Sequence, residues 1–123
     1  NIMANVNELY KSAATGALVQ VVEAGEGTLA GDLELVKENT TDAATEKHVP
    51  VVQEIEGGYL VMVGSVEHPM TEAHYIEWIE LVTEKEVLRR YLTPSDKPMA
   101  EFKTDEKALY AREHCNVHGI WKS

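Results

Sequence analysis

Tyr75-Ile76-Glu77-Trp78-Ile79-Glu80-Leu81-Val82 is the longest strand candidate in the chain and indicates its fold class. Tyrosine, tryptophan, isoleucine and valine are among the side chains that pack best on a pleated sheet. The same residue types are unfavourable in a helix, because β-branched and aromatic side chains lose rotamer freedom against the preceding turn. A β-strand is therefore predicted here, and a helix that continues to Leu88 is disfavoured.

Further strand candidates lie on both sides of this stretch and are separated by turn signals. Val49–Glu54 and Tyr59–Val63 flank Gly57-Gly58, a glycine pair typical of a hairpin. After the central stretch the candidates are Val87–Leu92, Met99–Phe102 and Lys107–Cys115. About seven short strands from His48 onward, with no convincing helix, predict an all-β chain built around an immunoglobulin-like antiparallel β-sandwich.

The first third of the chain has a different pattern and predicts a small β extension. Leu18–Val22 is apolar and β-branched, and Leu33–Val36 alternates, so both are strand candidates. Glycine-containing turns separate them. Residues 39–47 are polar and without periodicity, which is typical of a linker. We therefore predict a small N-terminal β domain over residues 1–38 and the sandwich domain over residues 39–123.

The composition excludes several classes of partner. The formal net charge is −10, which disfavours binding to nucleic acid or to an anionic membrane. No apolar run approaches the ~20 residues that a membrane-spanning helix requires. The chain begins with no signal-peptide pattern, and its single cysteine cannot form an internal disulfide. A cytoplasmic location is therefore expected.

The only cysteine, Cys115, stands three residues before His118 and is a candidate metal ligand. A thiolate is a soft ligand and an imidazole a borderline one, so the pair suits zinc, copper or iron. A lone Cys-x-x-His pair is weak evidence, but His48, His68 and His74 lie in turn-like stretches upstream. Five such donors exceed the four of a closed tetrahedral zinc site. Together they favour a redox metal, of which iron suits mixed imidazole and thiolate ligands best.

Three other residues invite a functional interpretation but are predicted to be structural. His114 is next to Cys115 on a strand, so its side chain faces the opposite side of the sheet. We expect it to be a surface or packing histidine. Trp78 and Trp121 are expected to lie in the core or in the wall of the metal site.

Three stretches resemble the superoxide reductase family, which includes the desulfoferrodoxins and neelaredoxins. They are Glu46-Lys47-His48-Val49-Pro50-Val51, the run from Val63 to Ile79 with the sequence Val-Gly-Ser-Val-Glu-His-Pro-Met-Thr-Glu-Ala-His-Tyr-Ile-Glu-Trp-Ile, and Cys115-Asn116-Val117-His118-Gly119-Ile120-Trp121. The resemblance covers the chain from about Asp42 to its end, with all three motifs in the order of the family.

The resemblance implies a square-pyramidal iron centre that reduces superoxide by one electron to hydrogen peroxide. By matching positions, the equatorial ligands are His48, His68, His74 and His118, and the axial ligand is Cys115. A small donor protein such as rubredoxin resupplies the electron.

The resemblance also assigns roles to Glu46 and Lys47. Lys47 is the local positive charge that the acidic chain otherwise lacks, and it is expected to attract superoxide, stabilise the reduced anion and orient a proton-donating water. Glu46 is expected to become the sixth ligand of the ferric iron.

The N-terminal segment departs from the pattern of the two-iron members of the family. Those members carry four cysteines there, introduced by a Cys-x-x-Cys after a Tyr-Lys pair, whereas Tyr10-Lys11 is followed by Ser12-Ala13-Ala14-Thr15. Hydroxyl and methyl groups cannot hold that second iron. Residues 1–38 are therefore expected to be metal-free and to serve packing and the formation of a homodimer.

Two alternatives remain open from the residues alone. A blue-copper electron carrier is also a β-sandwich with a C-terminal Cys and His, but it usually carries an axial methionine shortly after the last histidine. Here His118 is followed by Gly-Ile-Trp-Lys-Ser. A zinc-stabilised binding module is the second alternative.

Overall fold

The computed structural model describes residues 4–42 and 47–123, and all regular secondary structure in these ranges is β-strand. The chain divides into two compact units, Asn1–Lys37 and Glu38–Ser123. Within the described residues, no helix has the length and apolar character needed to cross a membrane.

The first unit contains one small antiparallel sheet. Its strands are β1 (Leu9–Ser12), β2 (Leu18–Gln20) and β3 (Leu33–Leu35), in the order β2-β1-β3. Ala4, Tyr10 and Val21 form its core, and Leu33 packs against them. The predicted strands correspond to β2 and β3 with shorter bounds, whereas β1 was not predicted.

The second unit consists of two antiparallel sheets. Its strands in the described residues are β4 (Pro50–Ile55), β5 (Gly58–Val63), β6 (Ile76–Thr83), β7 (Val87–Tyr91), β8 (Met99–Lys103), β9 (Ala108–Cys115) and β10 (Gly119–Lys122). The order is β10-β9-β6-β7 in one sheet and β4-β5-β8 in the other. This arrangement confirms the predicted all-β fold with antiparallel sheets.

The core of the second unit lies between its two sheets. It is formed mainly by alternate residues of the central strands, because successive side chains of a strand point to opposite faces. The buried apolar members come from both sheets: Val61, Val63, Ala100 and Phe102 from one, and Ile76, Ile79, Leu81, Ala111 and Cys115 from the other, with Leu92 beside them. Cys115 thus belongs to the hydrophobic core.

An ion-pair network lies on the outer face of the larger sheet. Glu80 on β6 and Arg112 on β9 are directly opposite each other, fully buried and joined by a hydrogen bond. Arg89 Nε donates to the other Glu80 oxygen at 3.1 Å, and Arg112 Nη1 to Glu38 Oε2 at 2.9 Å. A buried charge without its partner typically costs about 3–5 kcal/mol, so this network favours one register of β6 against β9.

Two features of the second unit differ from the sequence interpretation. The residues after His118 form β10, which pairs with β9 but whose sequence, Gly-Ile-Trp-Lys, has no alternating or β-branched run. Asn39, the first residue of the predicted linker, is hydrogen-bonded to β10. Its N–H donates to Ile120 O at 2.9 Å, and Lys122 N donates to Asn39 O at 2.9 Å.

Gly58 provides a stability test of the β5–β8 pairing. A Cβ at this position would lie 1.9 Å from the carbonyl oxygen of Phe102, a backbone atom that cannot rotate away. We expect Gly58→Ala to lower the free energy of unfolding by about 3 kcal/mol, since overpacking typically costs about 1–3 kcal/mol. Urea unfolding measures the change. Gly25→Ala, where nothing lies within 4 Å of the added Cβ, is the control; equal stability of the two variants would contradict the close approach.

Candidate metal centre

Five side chains from four separate segments meet at one end of the sandwich. His48 lies just before β4, and His68 and His74 lie between β5 and β6. Cys115 ends β9, and His118 follows in the turn to β10. The pairing of β9 places Cys115 opposite both Ile76 and Gly119, so the histidines just before β6 and just before β10 are brought to the same cysteine.

The four histidine rings form a closed, nearly square array. The distances between neighbouring ring centroids are 4.7 Å from His48 to His68, 4.7 Å from His68 to His74, 5.0 Å from His74 to His118 and 4.8 Å from His118 to His48. Each ring is turned by 66° to 85° from the next, so the edges rather than the faces converge.

The Cys115 sulfur lies close to the same centre. Its Sγ is 3.6 Å from Nε2 of His68 and 3.8 Å from Nδ1 of His118. The side chain is fully buried, and the backbone N–H of His118 donates to Sγ at 3.4 Å. An amide donor of this kind stabilises a thiolate over a thiol. The backbone N–H of Asn116, by contrast, donates to Tyr75 O at 3.2 Å.

A backbone carbonyl determines which nitrogen of His68 faces the centre. Nδ1 lies 2.8 Å from the carbonyl oxygen of Pro69, which can only accept a hydrogen bond. Nδ1 therefore carries the proton, and Nε2 of the neutral ring presents a lone pair. Nε2 is also the atom that lies 3.2 Å from His48 Nε2. The carbonyl of the next residue in the loop thus orients His68 so that Nε2 can bind a metal.

Asn116 holds the backbone on both sides of His74. Its Oδ1 accepts a hydrogen bond from Tyr75 N at 2.9 Å, and its Nδ2 donates to Ala73 O at 3.1 Å. Thr71 closes the turn from the other side, because its hydroxyl accepts from His74 N at 3.1 Å. The position of His74 is therefore fixed by residues that are not themselves candidate ligands.

His48 is fixed by an aromatic contact. Its ring stacks on Trp121 with centroids 4.6 Å apart and an angle of 16° between the planes. The indole N–H of Trp121 donates to His118 O at 3.1 Å, so one side chain supports two of the four histidines. Trp121 thus forms a wall of the centre, as expected.

The spacing of the donor atoms fits a single metal ion. Nitrogens at right angles and about 2.1 Å from a metal lie about 3.0 Å apart. The observed distances from His48 Nε2 are 3.1 Å to His118 Nδ1 and 3.2 Å to His68 Nε2. Donor atoms of His48, His68, His74 and Cys115 all lie within 4.8 Å of one another. A neutral imidazole set with one thiolate is a donor set that suits iron.

A buried carboxyl group lies two residues before Cys115 on the same face of β9. Burial raises the pKa of Glu113 to about 9, and the neighbouring Asp42 carboxylate adds to this rise. Among the described residues, neither oxygen of Glu113 has a hydrogen-bond partner. At neutral pH this residue is therefore protonated and does not add a second negative charge beside the thiolate.

The structure brings together all five predicted metal ligands: His48, His68, His74, His118 and Cys115. Lys47 is half-buried and precedes His48, whereas Glu46 lies outside the described residues. His114 is not part of the array. Its Nδ1 lies 3.2 Å from Glu77 Oε1, in agreement with the predicted surface or packing role of this histidine. The supporting contacts of Asn116 and Thr71 were not predicted; those of Asn116 join residues 41 and 43 positions apart in the sequence.

The family model described as Desulfoferrodoxin matches residues 40–123. The chain belongs to the desulfoferrodoxin family. The match includes His48, His68, His74, Cys115 and His118, so the whole array lies within the part of the chain that defines the family.

Relatives within the desulfoferrodoxin family match nearly the whole chain. A desulfoferrodoxin from Nitratidesulfovibrio vulgaris is 48% identical over 124 residues, which cover 98% of each chain. One from Desulfarculus baarsii is 46% identical over 119 residues, 94% of each chain. Among solved structures, the superoxide reductase from Treponema pallidum superposes with a TM-score of 0.78 at 33% identity, covering 94% of this chain and 96% of that one.

The role of Asn116 is tested by metal affinity. Loss of the hydrogen bonds that orient a ligand typically weakens metal binding by about 10–100-fold. We expect Asn116→Ala to show a loss of this size in a chelator competition for ferrous iron. Asn116→Asp keeps an oxygen for Tyr75 N–H but cannot donate to Ala73 O, so an intermediate affinity is expected. Asn5→Ala, in the first unit, is the control; if Asn116→Ala matches it, the clamp on His74 does not support metal binding.

Proposed function

We propose that the protein is a superoxide reductase, which adds one electron and two protons to superoxide and releases hydrogen peroxide. The observation that carries this proposal is the square array of four imidazoles with a buried cysteine sulfur beside it. The array occurs in a member of the desulfoferrodoxin family whose fold is similar to that of a solved superoxide reductase.

One iron per chain is the cofactor that fits the donor set, and when bound it supplies the electron by cycling between the ferrous and ferric states. His48, His68, His74 and His118 would hold it through neutral nitrogens, and Cys115 through a thiolate. Because only the thiolate carries charge, these ligands leave a net positive centre that attracts an anion. His74 is half-buried and His118 is exposed, so we infer that superoxide approaches from their side.

Lys47 is the proposed partner of the substrate anion. The chain carries a net charge of −10, so its overall field repels superoxide and a local positive charge is needed. Lys47 adjoins His48 and is half-buried. It would stabilise the reduced anion and orient the water that donates a proton. Glu46 is proposed to supply a carboxylate to the ferric ion.

The test of the proposed function is a metal analysis with a visible spectrum of the oxidised protein. We expect one iron per chain and a thiolate-to-iron absorption band that a reductant removes and superoxide restores. Cys115→Ser should remove the band and most of the turnover, whereas His114→Ala, outside the array, should keep both. A colourless zinc protein would indicate a structural module, and an intense copper–thiolate band would indicate an electron carrier; either result would overturn the proposal.

We propose a small electron-donor protein such as rubredoxin as the physiological partner. The exposed Val117 lies in the turn between Cys115 and His118, and Val66 is exposed in the segment that leads to His68. Apolar side chains next to a redox centre suit a transient docking surface. A cytoplasmic location is proposed with this partner, because it preserves a thiol that the centre requires.

We propose that the first unit is the metal-free counterpart of the family's four-cysteine domain and that it supports a homodimer. The chain has no cysteine in this unit. Instead, Asp32 Oδ2 accepts hydrogen bonds from the Ser12 hydroxyl and from Ala14 N, both at 2.8 Å. Val19 and Leu35 lie opposite Tyr10 on neighbouring strands and are both exposed, which gives the small sheet an apolar row.

Light scattering tests the proposed dimer. We expect twice the mass of the chain for the natural sequence, and a concentration-dependent loss of the dimer when Val19 and Leu35 are both replaced by lysine. Val87→Lys, at an exposed apolar position of the second unit, serves as the control. A monomer at all concentrations, or a dimer insensitive to the double change, would contradict an interface on the first unit.

A further inference from the structure

We propose that Asp42 and Gly64 are positioning residues, which together fix the Lys47–His48 peptide and thereby place Lys47 beside the metal centre. This inference rests on the proposed function in so far as Lys47 attracts superoxide. It assigns the placement of Lys47 to two residues that would not touch the metal or the substrate.

Asp42 holds one edge of the Lys47–His48 peptide. Its Oδ1 accepts a hydrogen bond from His48 N at 2.6 Å, and its Oδ2 accepts one from Val49 N at 3.1 Å. Hydrogen bonds from backbone N–H groups to a carboxylate are charge-assisted and about twice as strong as neutral ones. Oδ1 also lies 3.8 Å from Nδ1 of the His48 ring, which is beyond hydrogen-bond distance. The two hydrogen bonds of Asp42 are thus made to the backbone.

Gly64 lies against the opposite edge of the same peptide. A Cβ at Gly64 would stand 2.7 Å from the carbonyl oxygen of Lys47, 2.9 Å from its carbonyl carbon and 3.1 Å from its Cβ. Two of these three atoms belong to the backbone, so no side-chain rotation relieves the contact. Only glycine permits the Lys47 carbonyl to approach this closely.

The two contacts have a joint effect because a peptide unit is planar. The N–H of His48 and the C=O of Lys47 belong to one rigid plane and point in opposite directions. One edge of that plane is bonded to Asp42 and the other rests on Gly64. The orientation of this peptide plane is therefore fixed. The direction in which the Lys47 side chain leaves the backbone is fixed with it.

Gly64 also connects this peptide to a second candidate ligand. It directly follows β5, and its N–H donates to Val66 O at 3.2 Å, while His68 N donates to Val63 O at 2.9 Å. The backbone of Lys47 thus packs against the start of the segment that carries His68. The lysine amine ends a flexible four-carbon stem, so fixing its base restricts the positions that the charge samples. A misplacement of about 1 Å can cost a large factor in rate.

The first experiment measures the second-order rate constant with superoxide by pulse radiolysis, as a function of ionic strength, in the iron-loaded protein. We expect Gly64→Ala to lower it at low salt by about tenfold and to flatten its salt dependence, as Lys47→Ala should. The thiolate-to-iron band should be unchanged. Gly25→Ala, which meets nothing within 4 Å, should match the natural sequence.

Asp42→Ala separates positioning from electrostatics. Removing a negative charge near Lys47 would raise the rate with an anionic substrate if only the field mattered. The positioning role predicts the opposite, a lower rate constant, with partial rescue in Asp42→Asn, which keeps one acceptor oxygen but removes the same charge. A rate constant that rises in Asp42→Ala, or that is unchanged in Gly64→Ala, would overturn the proposal while leaving the superoxide reductase function in place.

A second measurement needs no turnover. In the zinc-loaded protein, Asp42→Ala should accelerate hydrogen exchange of the His48 and Val49 amides at least tenfold, and Gly64→Ala should shift the Lys47 and His48 amide resonances. Amides that exchange and resonate as in the natural sequence would overturn the positioning role, whatever the reaction with superoxide. If the natural protein fails to react with superoxide but these amides respond as expected, only the proposed function is lost.

Discussion

The pairing of β6 with β9 is the constraint on which the metal centre depends. Their register sets Glu80 against Arg112 on the outer face and Cys115 against Ile76 at the end of the ladder. A slip of one residue would turn Cys115 to the opposite face and separate the buried charges. The ion pair and the metal ligand are therefore specified by the same alignment, and His74 follows because it lies just before β6.

The sheets carry only one of the five candidate ligands, and the connecting segments carry the other four. Loops are usually the mobile part of a fold, so a precise array on loops needs support. Here it comes from single side chains that bond to backbone: Asn116 around His74, Asp42 at His48 and Val49, and Trp121 at His118. The rigid scaffold thus extends beyond the strands into the segments that hold the metal.

The sequence predicted most of the fold and the members of the array, but not how they are held. Aromatic and β-branched residues revealed β6, and turn glycines revealed the β4–β5 hairpin, whereas β1 (Leu-Tyr-Lys-Ser) and β10 (Gly-Ile-Trp-Lys) have no alternating or β-branched run. The cysteine and histidine inventory, with the resemblance, identified the five donors. The contacts of Asn116 with Ala73 and Tyr75 span more than forty residues of sequence, so no local pattern predicts them.

Cys115 belongs both to the hydrophobic core and to the metal centre. A close-packed interior resists changes in volume, so the core would hold the sulfur in nearly the same position whatever the charge on a metal bound to it. The thiolate would then add little to the nuclear rearrangement that accompanies a change of oxidation state. Any larger rearrangement would fall on the segments outside the core.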